Sequence, residues 1–276
     1  MNDQEYVYFK RKILALLSID LDGYKSQQMR RRLDAFVDSQ GKGVIAYCQT
    51  LEQDPVSMGK LRDFLTINVT EFFRDQEQYH VLKTVILPEL LQQNRKLNIW
   101  SAGCSRGAEA YSIAMILKEL TPGQTHRILA TDIDDRVLAL AKAGGPYSPS
   151  EVNNVAKHFL HKHFTKSGEG YIVAQDIRSC VEFRRHNLLS HPFEPGFDLI
   201  VCRNVTIYFS DDAKRKLFPS FSHSLKDRGI LFIGASETLL AAPGLRFEWV
   251  GKCFYRKPAT GGSKRSHHSE AALLSS

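Results

Sequence analysis

Two glycines four positions apart, Gly103 and Gly107, stand in the stretch Ser101-Ala-Gly-Cys-Ser-Arg-Gly107, between an apolar run and a helical one. Glycine at such a junction lets a ligand approach the backbone, and the helix that follows presents free N–H groups. The spacing is not Gly-x-Gly-x-x-Gly, the tighter fingerprint that a dinucleotide's pyrophosphate needs. It suits a ligand with an amino acid at one end and a nucleoside at the other. Asp132 lies roughly two dozen residues beyond Gly107, at a strand end, where an acidic side chain can accept both ribose hydroxyls. The same residue could equally cap a helix. Glu109 falls in the first turn of the next helix, as a carboxylate favoured by the helix dipole or as a holder for a ligand's ammonium group.

These residues need elements to position them. Residues 2–75 read as all-helical, with Tyr6, Phe9, Ile13, Leu16 and Leu17, and Met29, Leu33, Phe36 and Val37, recurring at helical spacing. A further helix spans 79–93. From Leu97 short apolar runs alternate with amphipathic stretches. Strands are expected at 97–101, 127–132, 181–187, 197–202 and 229–234, helices at 109–120, 136–143 and 211–225, and a terminal hairpin at 247–256. Alternating strand and helix predicts an α/β fold, a doubly wound, Rossmann-like, mostly parallel sheet. The run Leu-Ile-Val-Cys at 199–202 suits a strand buried on both faces. Between about 150 and 180 the rhythm breaks into a small β insertion, with a helix at 158–164 and a strand at 171–174. The organisation is thus a helical domain at 1–75, a sheet domain at 76–258 and a Gly/Ser-rich tail at 259–276 with no role assigned.

Composition excludes several classes. With 37 Lys and Arg against 30 Asp and Glu the net charge is +7, and the basic residues are dispersed, which argues against nucleic acid. The five cysteines are odd in number and widely spaced, which points to a reducing compartment rather than a disulfide framework or zinc site. No stretch approaches the ~18 apolar residues of a membrane span. His158, His161 and His163 lack a carboxylate or cysteine that would complete a metal site, so no metal is expected. A cytoplasmic, monomeric protein is the expectation.

Two further motifs are Asn68-Val-Thr-Glu-Phe-Phe-Arg74 and Cys202-Arg-Asn-Val-Thr-Ile-Tyr-Phe209. With Trp100-Ser-Ala-Gly-Cys-Ser-Arg-Gly-Ala-Glu-Ala-Tyr-Ser112 and Ala130-Thr-Asp-Ile-Asp134, they resemble the chemotaxis receptor methyltransferases, the CheR family, from about Tyr6 to Pro258. The resemblance implies S-adenosyl-L-methionine as cofactor and S-adenosyl-L-homocysteine as product. It implies cofactor contacts at Asn68, Thr70, Arg74, Gly103, Glu109, Asp132, Asn187, Leu188, Asn204 and Val205. Asn187 could offer an amide to the adenine edge, or serve only as a turn residue. Phe72 and Phe73 are expected in the core. The implied reaction is O-methylation of receptor glutamate side chains. A glutamate with a pKa of about 4.3 is already ionised at neutral pH, so no general base is required. Arg74 and Tyr208 are the candidates for catalysis: Arg74 to hold a carboxylate, of substrate or cofactor, and Tyr208 to hydrogen-bond near the transferred methyl.

The resemblance also implies docking of an acidic receptor bundle on a basic N-terminal helix, here 24–37 with Lys25, Arg30, Arg31 and Arg32, although a charge run is ordinarily a solvated face. The turn Thr165-Lys-Ser-Gly-Glu-Gly170 reads as shorter than the one by which some relatives bind a receptor's C-terminal tethering peptide, so the protein is expected to work without that tether. The competing readings are a methyltransferase acting on RNA or a small molecule, and a non-catalytic adaptor that keeps the fold.

Overall fold

The computed structural model describes residues 1–66, 68–240 and 245–259. The N-terminal region forms α1 (Asp3–Leu17), α2 (Ser26–Ser39), α3 (Val44–Gln53) and α4 (Pro55–Thr66). A capping box starts α1: the Asn2 side chain accepts from the Glu5 amide, and the Glu5 carboxylate accepts from that of Asn2. Tyr6, Phe9, Ile13 and Leu17 of α1 and Met29, Leu33 and Val37 of α2 close on Tyr47, Leu51, Leu61 and Leu65 in a core of their own. The helical pattern stops at Thr66. Residues 68–75 are a loop, held where the first motif predicted chemistry.

The next helix is continuous but irregular: α5 (Gln76–Val81), a π-helical turn at Leu82–Ile86, and α6 (Leu87–Gln93). The strands are β1 (Asn98–Ala102), β2 (Arg127–Asp132), β3 (Phe164–Ser167), β4 (Gly170–Val173), β5 (Val181–Arg185), β6 (Phe197–Cys202), β7 (Leu225–Ile233), β8 (Glu248–Gly251) and β9 (Phe254–Arg256). Seven of them make one sheet, ordered β5-β2-β1-β6-β7-β9-β8, and β3 with β4 makes a separate hairpin. From β5 to β7 all neighbours are parallel, and β9 and β8 join antiparallel at the end. Crossover helices are α7 (Ala108–Leu120) after β1, α8 (Asp135–Ala143) after β2 and α11 (Asp211–Ser224) after β6; α9 (Lys157–His163) and α10 (Gln175–Arg178) flank the hairpin.

All six residues of β6 are buried, as a central strand covered on both faces requires. Its acidic member, Asp198, is tolerated because it accepts from Lys226 Nζ at 2.8 Å and from the Asn98 amide at 2.7 Å. The chain runs outward from β1 through β2 to β5, then returns to β6 on the other side of β1. That reversal opens a crevice at the carboxyl ends of β1 and β6, where open α/β sheets bind ligands.

Three expectations shift. β3 pairs with β4, a partner that the short segment Phe164-Thr-Lys-Ser does not advertise through alternation. β7 starts at Leu225 rather than Gly229, because Leu225 pairs with Phe197 across a bulge. β5 ends at Arg185, which leaves His186 to Leu188 free to line the rim. Among the described residues no helix is long and apolar enough to cross a membrane, and the cysteines are free. The tail expected at 259–276 lies, from 260 onward, outside the described residues.

Candidate functional site

The crevice encloses about 990 Å³, part of it open to solvent, and every residue expected to contact the cofactor lines it, as does Tyr208. These expected residues come from the 68–74 loop, the glycine turn with the start of α7, the end of β2, the turn after β5 and the loop after β6.

The glycine turn is fixed by its own backbone. The amides of Gly103 and Cys104 both donate to the Thr131 carbonyl at 2.8 Å, tying the turn to β2. Gly103 has φ +84°, and a Cβ there would stand 2.5 Å from Val205 Cγ2. Conformation and space therefore both demand glycine. Asp132 Oδ2 accepts from the Ser105 amide at 2.8 Å, and Oδ1 from the Asp134 amide at 3.1 Å. Burial pushes the Asp132 carboxyl up to about 6, against these two amides. The helix-cap role falls to its neighbour: Asp134 accepts from the Arg136 amide and begins α8.

The 68–75 loop is pinned by its aromatics. Phe72 is buried against Tyr147 and Phe164, and Phe73 stacks on Phe159 at 5.6 Å. The Phe73 amide donates to Ser112 Oγ, and that of Phe72 to the Glu151 carbonyl. Phe73 and Asp75 have φ of +52° and +61°, a conformation costing non-glycine residues about 1–2 kcal/mol each and maintained by this packing. With the two phenylalanines turned inward, Asn68, Thr70 and Arg74 face the crevice. Asn68 Nδ2 donates to Thr66 Oγ1 at 2.8 Å and to Asp134 at 3.3 Å. The Arg74 guanidinium makes no hydrogen bond or ion pair among the described residues.

Arg203, inside the quoted motif but given no role from sequence, organises this end. Its buried guanidinium donates to the Arg74 carbonyl at 2.9 Å and to Asp75 at 2.5 Å, and lies 3.7 Å from Glu109 Oε2. Burial alone would lower its pKa; Tyr79, Glu109 and Asp75 around it raise it instead. Glu109, which also accepts from Ser101 Oγ at 2.8 Å, is raised by burial and restrained by Arg203.

Glu237, which sequence reasoning missed, holds the opposite lip. Its Oε1 accepts from the amides of Val205 (3.0 Å) and Thr206 (2.7 Å) and from Thr206 Oγ1; its Oε2 accepts from the amides of Asn204 (2.8 Å) and Gly234 (2.7 Å). Five donors on one buried carboxylate fix Asn204, which has φ +59°, and Val205. The only sequence trace was an acid among small residues just after a buried strand. Asn187 takes the turn role: Nδ2 donates to the Ser18 carbonyl at 3.3 Å and Oδ1 accepts from the Leu189 amide at 2.9 Å. Leu188 beside it lines the crevice and packs against the core around Trp100. Tyr208 stands in the crevice wall, and Phe209 beside it is buried.

The four basic residues of the N-terminal helix divide. Arg30 pairs with Asp3 at 2.7 Å and lies over the Tyr6 ring. Arg32 donates to the Phe64 carbonyl at 2.6 Å and covers the Phe64 ring. Lys25 and Arg31 are exposed and carry no ion pair among the described residues.

At one end of the crevice, then, Glu109 offers a negative charge for an amino acid's ammonium, and Arg74 a positive one for a carboxylate of either cofactor or substrate. At the other, Asp132 offers acceptors for a diol. These residues fit S-adenosylmethionine.

Comparison with known proteins agrees. Residues 68–251 match the family model for the CheR methyltransferase, SAM binding domain. A chemotaxis protein methyltransferase of Listeria monocytogenes is 36% identical over 257 residues, covering 92% of this chain and 98% of the relative. One of Pseudomonas aeruginosa is 37% identical over 239 residues, 82% of this chain and 86% of the relative. One of Borreliella burgdorferi is 34% identical over 254 residues, 87% and 89% respectively. This chain belongs to the CheR methyltransferase family, and S-adenosylmethionine is its cofactor.

Proposed function

We propose that this chain O-methylates glutamate side chains on the cytoplasmic helical bundles of chemoreceptors, in the crevice described above. The observation that carries the reading is the Arg74 guanidinium, which lines the crevice with no hydrogen bond or ion pair among the described residues, while the neighbouring Arg203 is held by the Arg74 carbonyl and Asp75. An unpaired guanidinium in such a site calls for a carboxylate, and its planar fork fixes that carboxylate's orientation.

Bound S-adenosylmethionine supplies an electrophilic sulfonium methyl. Asp132 accepts the ribose hydroxyls, Glu109 takes the ammonium, and Asn68, Thr70, Asn187, Leu188, Asn204 and Val205 shape the remaining wall. Arg74 holds a carboxylate, and the Tyr208 hydroxyl steadies its approach. An ionised glutamate needs no base. His186, on the wall, is not suited to act as one, since burial lowers its pKa to about 4. Rate then depends on alignment and on excluding water from two charges.

The accompanying organisation is a helical domain at 1–75 that presents Lys25 and Arg31 to the receptor, a methyltransferase domain at 76–258, and a cytoplasmic monomer. The receptor interaction is tether-free. The β3–β4 turn does contain a Gly-x-Gly, Gly168 to Gly170, so the reading leans on the turn's shortness; micromolar binding of a receptor C-terminal peptide in calorimetry would overturn it.

The test is base-labile methyl incorporation from S-adenosylmethionine into a purified receptor cytoplasmic fragment. Incorporation that falls at least tenfold in Arg74→Ala and Asp132→Ala is expected. Methylation of RNA or of small acids in place of the receptor fragment would refute the substrate.

A further inference from the structure

The crevice is not built by the sheet region alone. Tyr24, between α1 and α2, and Leu65 and Thr66, at the end of α4, also line it. The segment 18–25 crosses to the sheet's rim through several polar contacts. The Ser18 carbonyl accepts from Asn187 Nδ2, the Gly23 carbonyl accepts from the Ser210 amide at 2.8 Å, and the Lys25 amide donates to the Tyr208 carbonyl at 3.0 Å. Tyr24 forms an antiparallel bridge with Phe209, and their rings meet edge to face at 5.4 Å. On the far side, Asp63 near the end of α4 pairs with Arg136 at 3.1 Å. The helical unit thus straddles the crevice and is anchored on both rims.

Tyr24 is the aromatic residue that this unit places in the crevice. Its hydroxyl has no hydrogen-bond partner among the described residues, and Asp132 is one of the charges that act on it. A half-buried phenol without a partner, near the carboxylate that receives the ribose, is a ready donor for a ligand. We infer that Tyr24 is a cofactor-contact residue at the nucleoside end, so that S-adenosylmethionine affinity depends on the seating of the N-terminal helical unit. Its ring, backed by Phe209, covers the nucleoside, and its hydroxyl bonds to it. The same strap reaches Tyr208 through Lys25, one residue before α2 begins, so cofactor binding and the position of α2 are mechanically linked.

This inference rests on the crevice being the cofactor site, and the experiment separates the two. S-adenosylhomocysteine and, separately, 5′-methylthioadenosine are titrated by calorimetry into the full chain and into Y24F, Y24A, D132N and R74A. Y24F keeps the ring and the packing. It should weaken both ligands by about two- to tenfold, the worth of one neutral hydrogen bond, and Y24A should weaken both further. Unchanged affinities in both Tyr24 variants, with D132N weakened, overturn the inference and leave the site standing. A lower ligand-free melting temperature in Y24F with no change of affinity marks a purely structural tyrosine and overturns it too. Loss for S-adenosylhomocysteine but not for methylthioadenosine refutes the placement at the nucleoside end. Unchanged affinity in D132N and R74A as well refutes the cofactor site itself.

Discussion

Gly103→Ala offers the sharpest check on how the crevice is built. Two costs are expected. An alanine at φ +84° pays for a left-handed conformation, about 1–2 kcal/mol. Its Cβ would also stand 2.5 Å from Val205 Cγ2, 3.4 Å from Cγ1 and 3.5 Å from the Val205 Cβ. Ordinary carbon contacts lie at about 3.5–4.0 Å, so Cγ2 must retreat by about 1 Å. The backbone cannot move with it, because the Val205 amide is held by Glu237 at 3.0 Å. Overpacking of this kind costs about 1–3 kcal/mol, for a total of about 2–5 kcal/mol. Val205→Ala removes both Cγ atoms and leaves the nearest remaining atom at 3.5 Å, an ordinary contact. In that background Gly103→Ala should lose only its conformational share. Urea unfolding of the four proteins of this double-mutant cycle should return a favourable coupling of about 1–3 kcal/mol. A coupling under about 0.5 kcal/mol would show that Val205 does not oppose Gly103, and the reasoning would fall.

Three further outcomes are expected. With its pKa at about 6, Asp132 is about nine-tenths ionised at pH 7 and under one-tenth at pH 5; S-adenosylhomocysteine affinity should fall about tenfold over that interval, and a flat profile would exclude Asp132 as the hydroxyl acceptor. For folding the sign is opposite, since its folded pKa exceeds the unfolded value of about 3.9: this residue's contribution to stability is whole below that value and is lost as pH rises through 6. Glu237→Gln leaves two amide donors of the rim facing an NH2 group, each a lost charge-assisted bond of about 1.5–3 kcal/mol; cofactor affinity should drop at least tenfold, with partial recovery in Glu237→Asp, and wild-type affinity in the Gln variant would dismiss the clamp. Reversing Lys25 and Arg31 to Glu should raise the KM for a receptor fragment about three- to tenfold at low salt and less at high salt, while Arg30→Glu, which breaks the contact with Asp3, should act mainly on the melting temperature.

The sequence by itself determined the fold class, because periodicity is a local property: 3.6-residue spacing before Thr66 and alternating strands and helices after Leu97 left little choice. It marked Gly103 and Gly107 as a turn between an apolar run and a helical one, but the φ of +84° and the close approach of Val205 that make glycine necessary at 103 came only from the structure. It also brought forward the residues that meet in the crevice, through motifs whose members are close in the chain. What only the tertiary structure decided is what each of those residues spends its hydrogen bonds on. Asn187 gives both ends of its amide to the turn and to Ser18, whereas Arg74 makes no hydrogen bond or ion pair among the described residues, and no spacing along the chain separates the two. Arg203, Glu237 and Tyr24 escaped for the same reason. Their partners lie 129, 33 and roughly 185 positions away, and a buried charge or an unpartnered phenol is recognisable only once distant segments have removed the water around it.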